Sequence, residues 1–550
     1  MKLIYGIKDK PKFGQVIVFA IQQLLAIMAA TLVVPVIINT SGSMPEGALP
    51  MSSAAALFGA GIGTLVYLLF TRFKSPVFLG SSFAFIGSMC AAFAGAISAQ
   101  AGYMGLIIGA AFAGLVYVII AIIVKFAGVK WIAKLMPAVV IGPTVAIIGL
   151  SLAGNAIGDL QTVNYTQIEN TGYTVSISYN TSVNSEGKTV YYNADGEIVA
   201  TVEEAEKIYT VLDADGNVRE DVQLIIDTVT DEETGKTTEA YSFKRTPGST
   251  YIAILCGLVT LAVTMLCATF GKKMIRLTPF IMGILAGYAL ASIFTVIGIF
   301  AGIEAFKIIN FDPLINLFTN FGVESIVALP DFTFLEAIKG IKDIDGAYVG
   351  TIFAAYAPVA FVVFAEHIAD HKNLSTIIEQ DLLEEPGLHN TLLGDGVGSI
   401  AGAIFGGCPN TTYGESVGCV AITGNASVVT IFTTAIMAIV ISFLSPFVAF
   451  VNTIPSCVMG GVCMALYGFI AVSGLKMIQK VDLEKNRNLF VVSVILITGI
   501  GGLSVTFGQV TLTTVACALI LGILANVMLG VKDKKPAEEA PASEDNTYEL

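Results

Sequence analysis

The fold class this sequence predicts is an all-α polytopic membrane protein of fourteen transmembrane segments, with one small extracellular β-rich insertion. Three observations carry the prediction. Of 550 residues, 55% are hydrophobic and only 13% charged, about half the charge of an ordinary soluble domain; mean hydropathy is +0.79. Apolar runs of the length a bilayer demands, about 20 residues each, recur from near the start of the chain to about residue 530. One hydrophilic block, residues 155–248, interrupts them with a different texture. The Gly and Pro inside the runs do not argue against helices, because neighbouring spans re-satisfy the freed backbone groups.

Taken in order, the first run covers residues 15–38. It is too long for the core of a signal peptide and reads as a retained first span. Runs at 51–71, 76–98, 105–126 and 134–154 follow, so residues 1–154 hold spans 1–5. Beyond the insertion come 249–270, 278–301, 349–376, 388–406, 408–424, 426–449, 455–475, 488–506 and 508–530, which makes residues 249–530 spans 6–14. Residues 531–550 are polar and acidic and are expected to form a disordered cytoplasmic tail. With the N-terminus placed in the cytoplasm, 20 of the 29 Lys and Arg fall on the inner side. Six of the other nine lie in the long insertion, which the positive-inside rule largely exempts. Both termini are therefore expected in the cytoplasm, the insertion outside, and the whole in the plasma membrane.

The formal charge of −13 is local. Residues 155–250 carry 17 Asp and Glu against 6 Lys and Arg, and the segment after Lys535 adds five acids. The rest is near neutral, so the charge implies no nucleic-acid partner. All eight cysteines fall in hydrophobic segments, where they are expected to pack as small apolar residues. In the insertion, β-formers alternate with turn signals (YTVSISYN, KTVYYNADGEIVAT, KIYTVLDADGNV), and the ADG turns suit tight hairpins. DADGN at 213–217 also resembles the start of a calcium loop, but the position that should supply the bidentate acid is Leu224. It reads as a turn.

Two spans are poor helices. SPVFLGSSFAFIGS (75–88) and GGCPNTTYGESVG (406–418) each run from a proline through small and hydroxylated residues to an aromatic. They fall in spans 3 and 10, which correspond if the chain is two repeats of seven; an odd repeat makes the halves inverted. Paired broken segments at corresponding positions point to a transporter binding site, with free backbone groups lining a cavity.

Ionisable groups inside spans are expensive and default to function. Glu366, His367, Asp370 and His371 crowd the end of one apolar run, and Glu415 lies in a broken span. Glu366 and Asp370, at i and i+4, share a helix face that must look at a cavity, a partner or a substrate. His367 is about 100° round from Glu366 and reads as packed or hydrogen-bonded. His371 and Lys372 read as a helix end reaching cytoplasmic water. Two rival readings are weaker. A membrane metalloenzyme would exploit the His367–His371 spacing, but the chain has only three histidines, and no metal is expected. A channel would want a continuous pore lined by rings of charge or carbonyls.

LGSSFAFI (79–86), AEHIADH (365–371), EEPGLH (384–389) and PNTTYGESVGCVAIT (409–423) together resemble the nucleobase–ascorbate transporters, the uracil and xanthine permeases, and their uracil permease branch in particular. The resemblance spans nearly all of the chain outside the insertion. It implies a core domain (spans 1–4 and 8–11), a gate domain (5–7 and 12–14) and short antiparallel strands in spans 3 and 10. It implies that Glu366 and Glu415 hydrogen-bond the base, that Phe83 and Gly414 offer main-chain groups, and that Tyr413 forms pocket wall. Proton coupling would fall to Glu366, Asp370 and Glu415. The implied function is proton-coupled nucleobase symport. No cofactor is expected; sodium is the alternative coupling ion, and a homodimer through gate helices is the implied assembly. The sequence departs from the pattern at Asp370, where a histidine is usual in uracil permeases, at Ser416, where Asn is usual, and at Gln23, where His is usual. Glu415 favours uracil, whereas Asp370 keeps xanthine or a related purine as the alternative.

Overall fold

The computed structural model describes residues 3–45, 48–128, 137–169, 173–183, 189–192, 198–199, 207–213, 216–219, 222–230, 237–272, 274–319, 321–507 and 510–530. The expected tail at 531–550 lies outside them. A helix falls in each of the fourteen apolar stretches. In chain order these are α1 (Phe13–Thr40), α2 (Ser53–Phe70), α3 (Ile86–Ala94), α4 (Ala99–Ala127), α5 (Ala138–Ser151) running into α6 (Ala153–Gln161), α7 (Thr250–Phe270) and α8 (Pro279–Ala301). Then come α9 (Gly346–Ile378), α10 (Leu388–Gly406), α11 (Gly414–Thr423), α12 (Val428–Ser442), α13 (Ser456–Ile478), α14 (Asn486–Ile500) and α15 (Thr514–Gly530). Among the described residues, eight segments are long and apolar enough to cross a membrane: α1, α2, α4, α5 with α6, α7, α8, α9 and α13. Many of their outward side chains are large and apolar, Phe126, Tyr251 and Phe300 each above 80% exposed. Such a surface suits lipid.

The helices pack as two groups. One joins α1–α4 to α9–α12, with α10 lying along α2 and α4 and α12 along α1 and α2. The other joins α5–α8 to α13–α15, with α13 at its centre against α5, α6 and α7. Small residues make the closest crossing possible. At Gly59 of α2 and Gly402 of α10 the backbones approach so nearly that a Cβ on Gly59 would strike the Gly402 carbonyl.

The two broken stretches are strand followed by helix. Strand β1 (Leu79–Ser81) leads through one 3₁₀ turn at Phe83–Phe85 into α3, and strand β2 (Asn410–Thr412) leads into α11. The strands pair antiparallel, Leu79 with Thr412, Gly80 with Thr411 and Ser81 with Asn410. Two residues are held by α2: Thr64 Oγ1 accepts from Leu79 N at 2.9 Å and donates to its carbonyl, and Asn410 Nδ2 donates to the Gly59 carbonyl at 3.0 Å. Backbone groups that a span would otherwise bury unpaired thus find partners.

A further antiparallel strand pair was not foreseen. Val505–Phe507 pairs with Val510–Leu512 between α14 and α15, inside stretches read as continuous spans. Its β-branched and aromatic residues suit a strand, but they are equally apolar, so hydropathy alone merged them with the helices. In the insertion, the described residues form short antiparallel sheets: 167–169, 237–245 and 222–230 in one, 173–179 with 207–213 in another, and 181–183, 189–192 and 198–199 in a third. At DADGN, Asp213 Oδ1 accepts from Asn217 N at 2.9 Å and Leu212 bridges Val218 antiparallel, the turn expected there. The free cysteines include six buried ones, Cys256, Cys408, Cys419, Cys457, Cys463 and Cys517.

Candidate functional site

Between the two helix groups lies a cavity of about 490 Å³, within the size of ordinary small-molecule sites. On one wall stand the starts of the half-helices, Phe83 at the turn before α3 and Tyr413, Gly414 and Glu415 at the start of α11, together with Glu366 and Asp370 of α9. All six residues expected from the sequence therefore meet in one place. The opposite wall is mostly apolar and comes from the second group: Val145 and Ile148 of α5, Phe280 of α8, and Leu466, Phe469 and Ile470 of α13, with Ser473 of α13 the one hydroxyl on it among the described residues. Phe280 and Phe469 pack edge to face, 6.1 Å between ring centroids.

Local sequence accounts for this placement. The positive ends of two helices open on the cavity, and the first N–H groups of α11 have no acceptor within their own helix. Tyr413 is pinned from behind: its hydroxyl donates to the Ser81 carbonyl at 2.6 Å, and its ring covers Gly80, where a Cβ would run into it. Asp370 accepts from Thr412 Oγ1 at 2.9 Å, which ties the acid of α9 to β2. Glu366, Asp370 and Glu415 are each half-buried and open to the cavity. Gln23 and Ser416, two of the departures from the family pattern, touch each other: Gln23 Nε2 donates to Ser416 Oγ, which also accepts from Phe78 N at 3.1 Å.

His367 turns away from the cavity, as its angle on α9 required. Its Nδ1 lies 2.6 Å from Asp395 Oδ2 and its Nε2 lies 3.0 Å from Thr391 Oγ1. The reading of His371 needs correction. It is fully buried, with Nδ1 donating to the His367 carbonyl at 2.8 Å and Nε2 at 2.7 Å from the Tyr67 hydroxyl. His371 thus faces α2 through Tyr67 and not water, and of the pair His371 and Lys372 only Lys372 is exposed.

Asp395 was missed, although an acid within LLGDGVGSI is as conspicuous as those that were noticed. The apolar wall was also missed. Nothing distinguishes Phe280 or Phe469 from other aromatics in apolar runs. No group of three or more His, Cys, Asp or Glu with metal-binding geometry occurs among the described residues.

Paired broken segments, facing carboxylates and a mostly apolar wall supplied by a second helix group are the marks of a multi-pass membrane carrier, with a candidate site between two packed helix groups. The comparisons narrow the class: the Permease family model Xan_ur_permease matches residues 14–184 and 247–508, and the chain belongs to that family. It is a transporter, not an enzyme. It is 32% identical over 541 residues to a uracil permease of Bacillus subtilis (strain 168), covering 98% of each chain, and 30% identical over 543 residues to a uracil permease of Escherichia coli (strain K12), covering 98% of this chain and 97% of that one. A putative pyrimidine permease of Escherichia coli (strain K12) is 26% identical, covering 96% of this chain and 93% of the relative. In fold, the chain is similar to the transmembrane domain of a cyanobacterium bicarbonate transporter, with a TM-score of 0.50 at 12% identity, covering 95% of this chain and all of that one. It is similar as well to a murine Slc26a9 anion transporter, with a TM-score of 0.52 at 12% identity, covering 96% and 70%.

Proposed function

We propose that the protein is a proton-coupled symporter that imports a nucleobase, uracil first, with xanthine or a related purine as the alternative. The observation that carries the reading is the convergence of Glu366, Asp370 and Glu415 with the start of α11 on one cavity. The chemistry fits a flat base. Ring N–H groups are donors, and carboxylates only accept; exocyclic oxygens are answered by the free N–H groups at the start of α11 and by the main chain at Phe83. Tyr413 closes the wall behind, and the Phe280–Phe469 pair offers a ring face an apolar surface. The names borne by the relatives support the same substrate class.

Three acids on one cavity repel one another when all are ionised. One proton held among them lowers the charge that must move past the apolar wall. In this reading all fourteen stretches are crossings, arranged as two inverted sevens. The first helix group is a mobile core, the second a gate, both termini are cytoplasmic and the insertion is outside. A homodimer through the gate helices belongs to the reading on the family resemblance alone. The test is uptake of labelled uracil, xanthine and other bases by the purified full chain in liposomes, with and without an inward proton gradient. Gradient-stimulated uptake of uracil supports the proposal. Uptake of xanthine alone makes the site a purine site, and uptake of neither base overturns the reading.

A further inference from the structure

Behind the cavity, α9 is gripped by a set of polar side chains that the transport reading does not use. His367, His371, Asp395, Thr391 and Tyr67 are all fully buried. The rings of His367 and His371 stack, 4.1 Å between centroids, and Tyr117 of α4 lies beside His367. The groups facing His367 are thus Tyr117 of α4, Thr391 and Asp395 of α10, and His371 of its own helix; Tyr67 of α2 reaches His371.

Hydrogen counting favours one way of holding His367. The Leu388 carbonyl, 3.0 Å from Thr391 Oγ1, can only accept; with the one hydroxyl hydrogen of Thr391 given to it, Oγ1 meets His367 Nε2 as acceptor, and Nε2 carries a hydrogen. The other nitrogen, Nδ1, faces Asp395 Oδ2 at 2.6 Å. One hydrogen fits between them: on Nδ1 if Asp395 is ionised, on Oδ2 if it is not. With that single hydrogen the unit is neutral as a whole, which is what a pair walled off from water requires.

We propose that His367 is a positioning residue for Glu366 and Asp370: clamped at both ring nitrogens by Thr391 and Asp395, with Nε2 protonated and one hydrogen shared with Asp395, it fixes the roll of α9. Thr391 and Asp395 stand four apart on α10 and grip one ring from two successive turns, so rotation of α9 about its axis breaks at least one bond. Glu366 precedes His367 and Asp370 lies three residues beyond it. A few degrees of roll therefore move both carboxylates together relative to the start of α11. The functional part of the inference rests on the nucleobase reading; the protonation pattern does not.

The test has two arms. The chain has three histidines, His367, His371 and His389, so nitrogen NMR of the full chain with labelled histidine in liposomes resolves each ring, with assignment by His367→Gln. The expected result is a protonated Nε2 on His367 and a single hydrogen in the Asp395 bond, unchanged between about pH 6 and pH 8, the range in which an ordinary histidine titrates. An unprotonated Nε2, or titration in that range, overturns the clamp whatever the substrate proves to be. The second arm is Thr391→Val, which removes the acceptor without touching the cavity. Loss of one buried hydrogen bond predicts a KM for base about three- to tenfold higher, with maximal rate and Tm little changed, and Thr391→Ser should restore it. A wild-type KM in Thr391→Val, or the same rise in Thr391→Ser, contradicts a positioning role.

Discussion

At the scale of single residues, the site separates groups that accept hydrogen bonds from groups that hold those acceptors in place. Glu415, the second residue of α11, faces the cavity, while Ser416, one residue on, is buried and bonded to Gln23 and Phe78. Glu415→Gln replaces an acceptor-only group by one that also donates. The variant should insert normally and change base preference, losing uracil affinity by about tenfold, the usual worth of a hydrogen bond to a charged group; competition by unlabelled bases against labelled uracil measures this. Unchanged uracil affinity would remove Glu415 from the site. Glu366, Asp370 and Glu415 were legible because charged residues in an apolar run demand a reason; Phe83, Tyr413 and Gly414 came only with the family resemblance. His371 was misread because nearness to a span end does not fix exposure: its burial comes from α2, whose Tyr67 lies against it, and hydropathy does not say which neighbour packs on a helix face.

At the scale of elements, the site depends on two three-residue strands that cross between half-helices. Gly80 lies in β1 directly under the Tyr413 ring. Gly80→Val forces that ring off its bond to the Ser81 carbonyl, and overpacking of this kind costs about 1–3 kcal/mol. Thermal unfolding of the variant in detergent should show a lower Tm, and base binding should fall with it. A variant with wild-type Tm and binding would mean that the ring has room to move. Broken helices were readable from Pro, Gly and hydroxylated residues clustered where a span was due. The pairing of β1 with β2 was not readable from those residues, because register needs both strands in view; it came only with the family resemblance. The hairpin at 505–512 left no such trace, since Val, Thr and Phe serve a strand and an apolar helix equally well.

At the scale of the whole molecule, two helix groups enclose one cavity, and the insertion is attached to the loop after α8. Arg245 lies 3.6 Å from Glu304, and Lys307 sits over the Tyr165 ring. These are peripheral contacts. Replacing residues 166–246 with a short Gly/Ser link, which keeps α6 intact to Gln161, should leave uptake within about twofold, since surface ion pairs contribute little. Loss of uptake in a well-inserted deletion variant would give the insertion a part in gating or assembly. In the proposed transport cycle the acids of the cavity both bind the base and hold the coupling proton, with Asp370 weighted to the proton and Glu366 needed for both. The most direct measurement compares counterflow with gradient-driven uptake of labelled uracil in liposomes holding the wild type, Asp370→Asn or Glu366→Gln. The account predicts that Asp370→Asn keeps counterflow and loses accumulation, whereas Glu366→Gln loses both. Equal loss of the two activities in Asp370→Asn, or accumulation retained in Glu366→Gln, would contradict it.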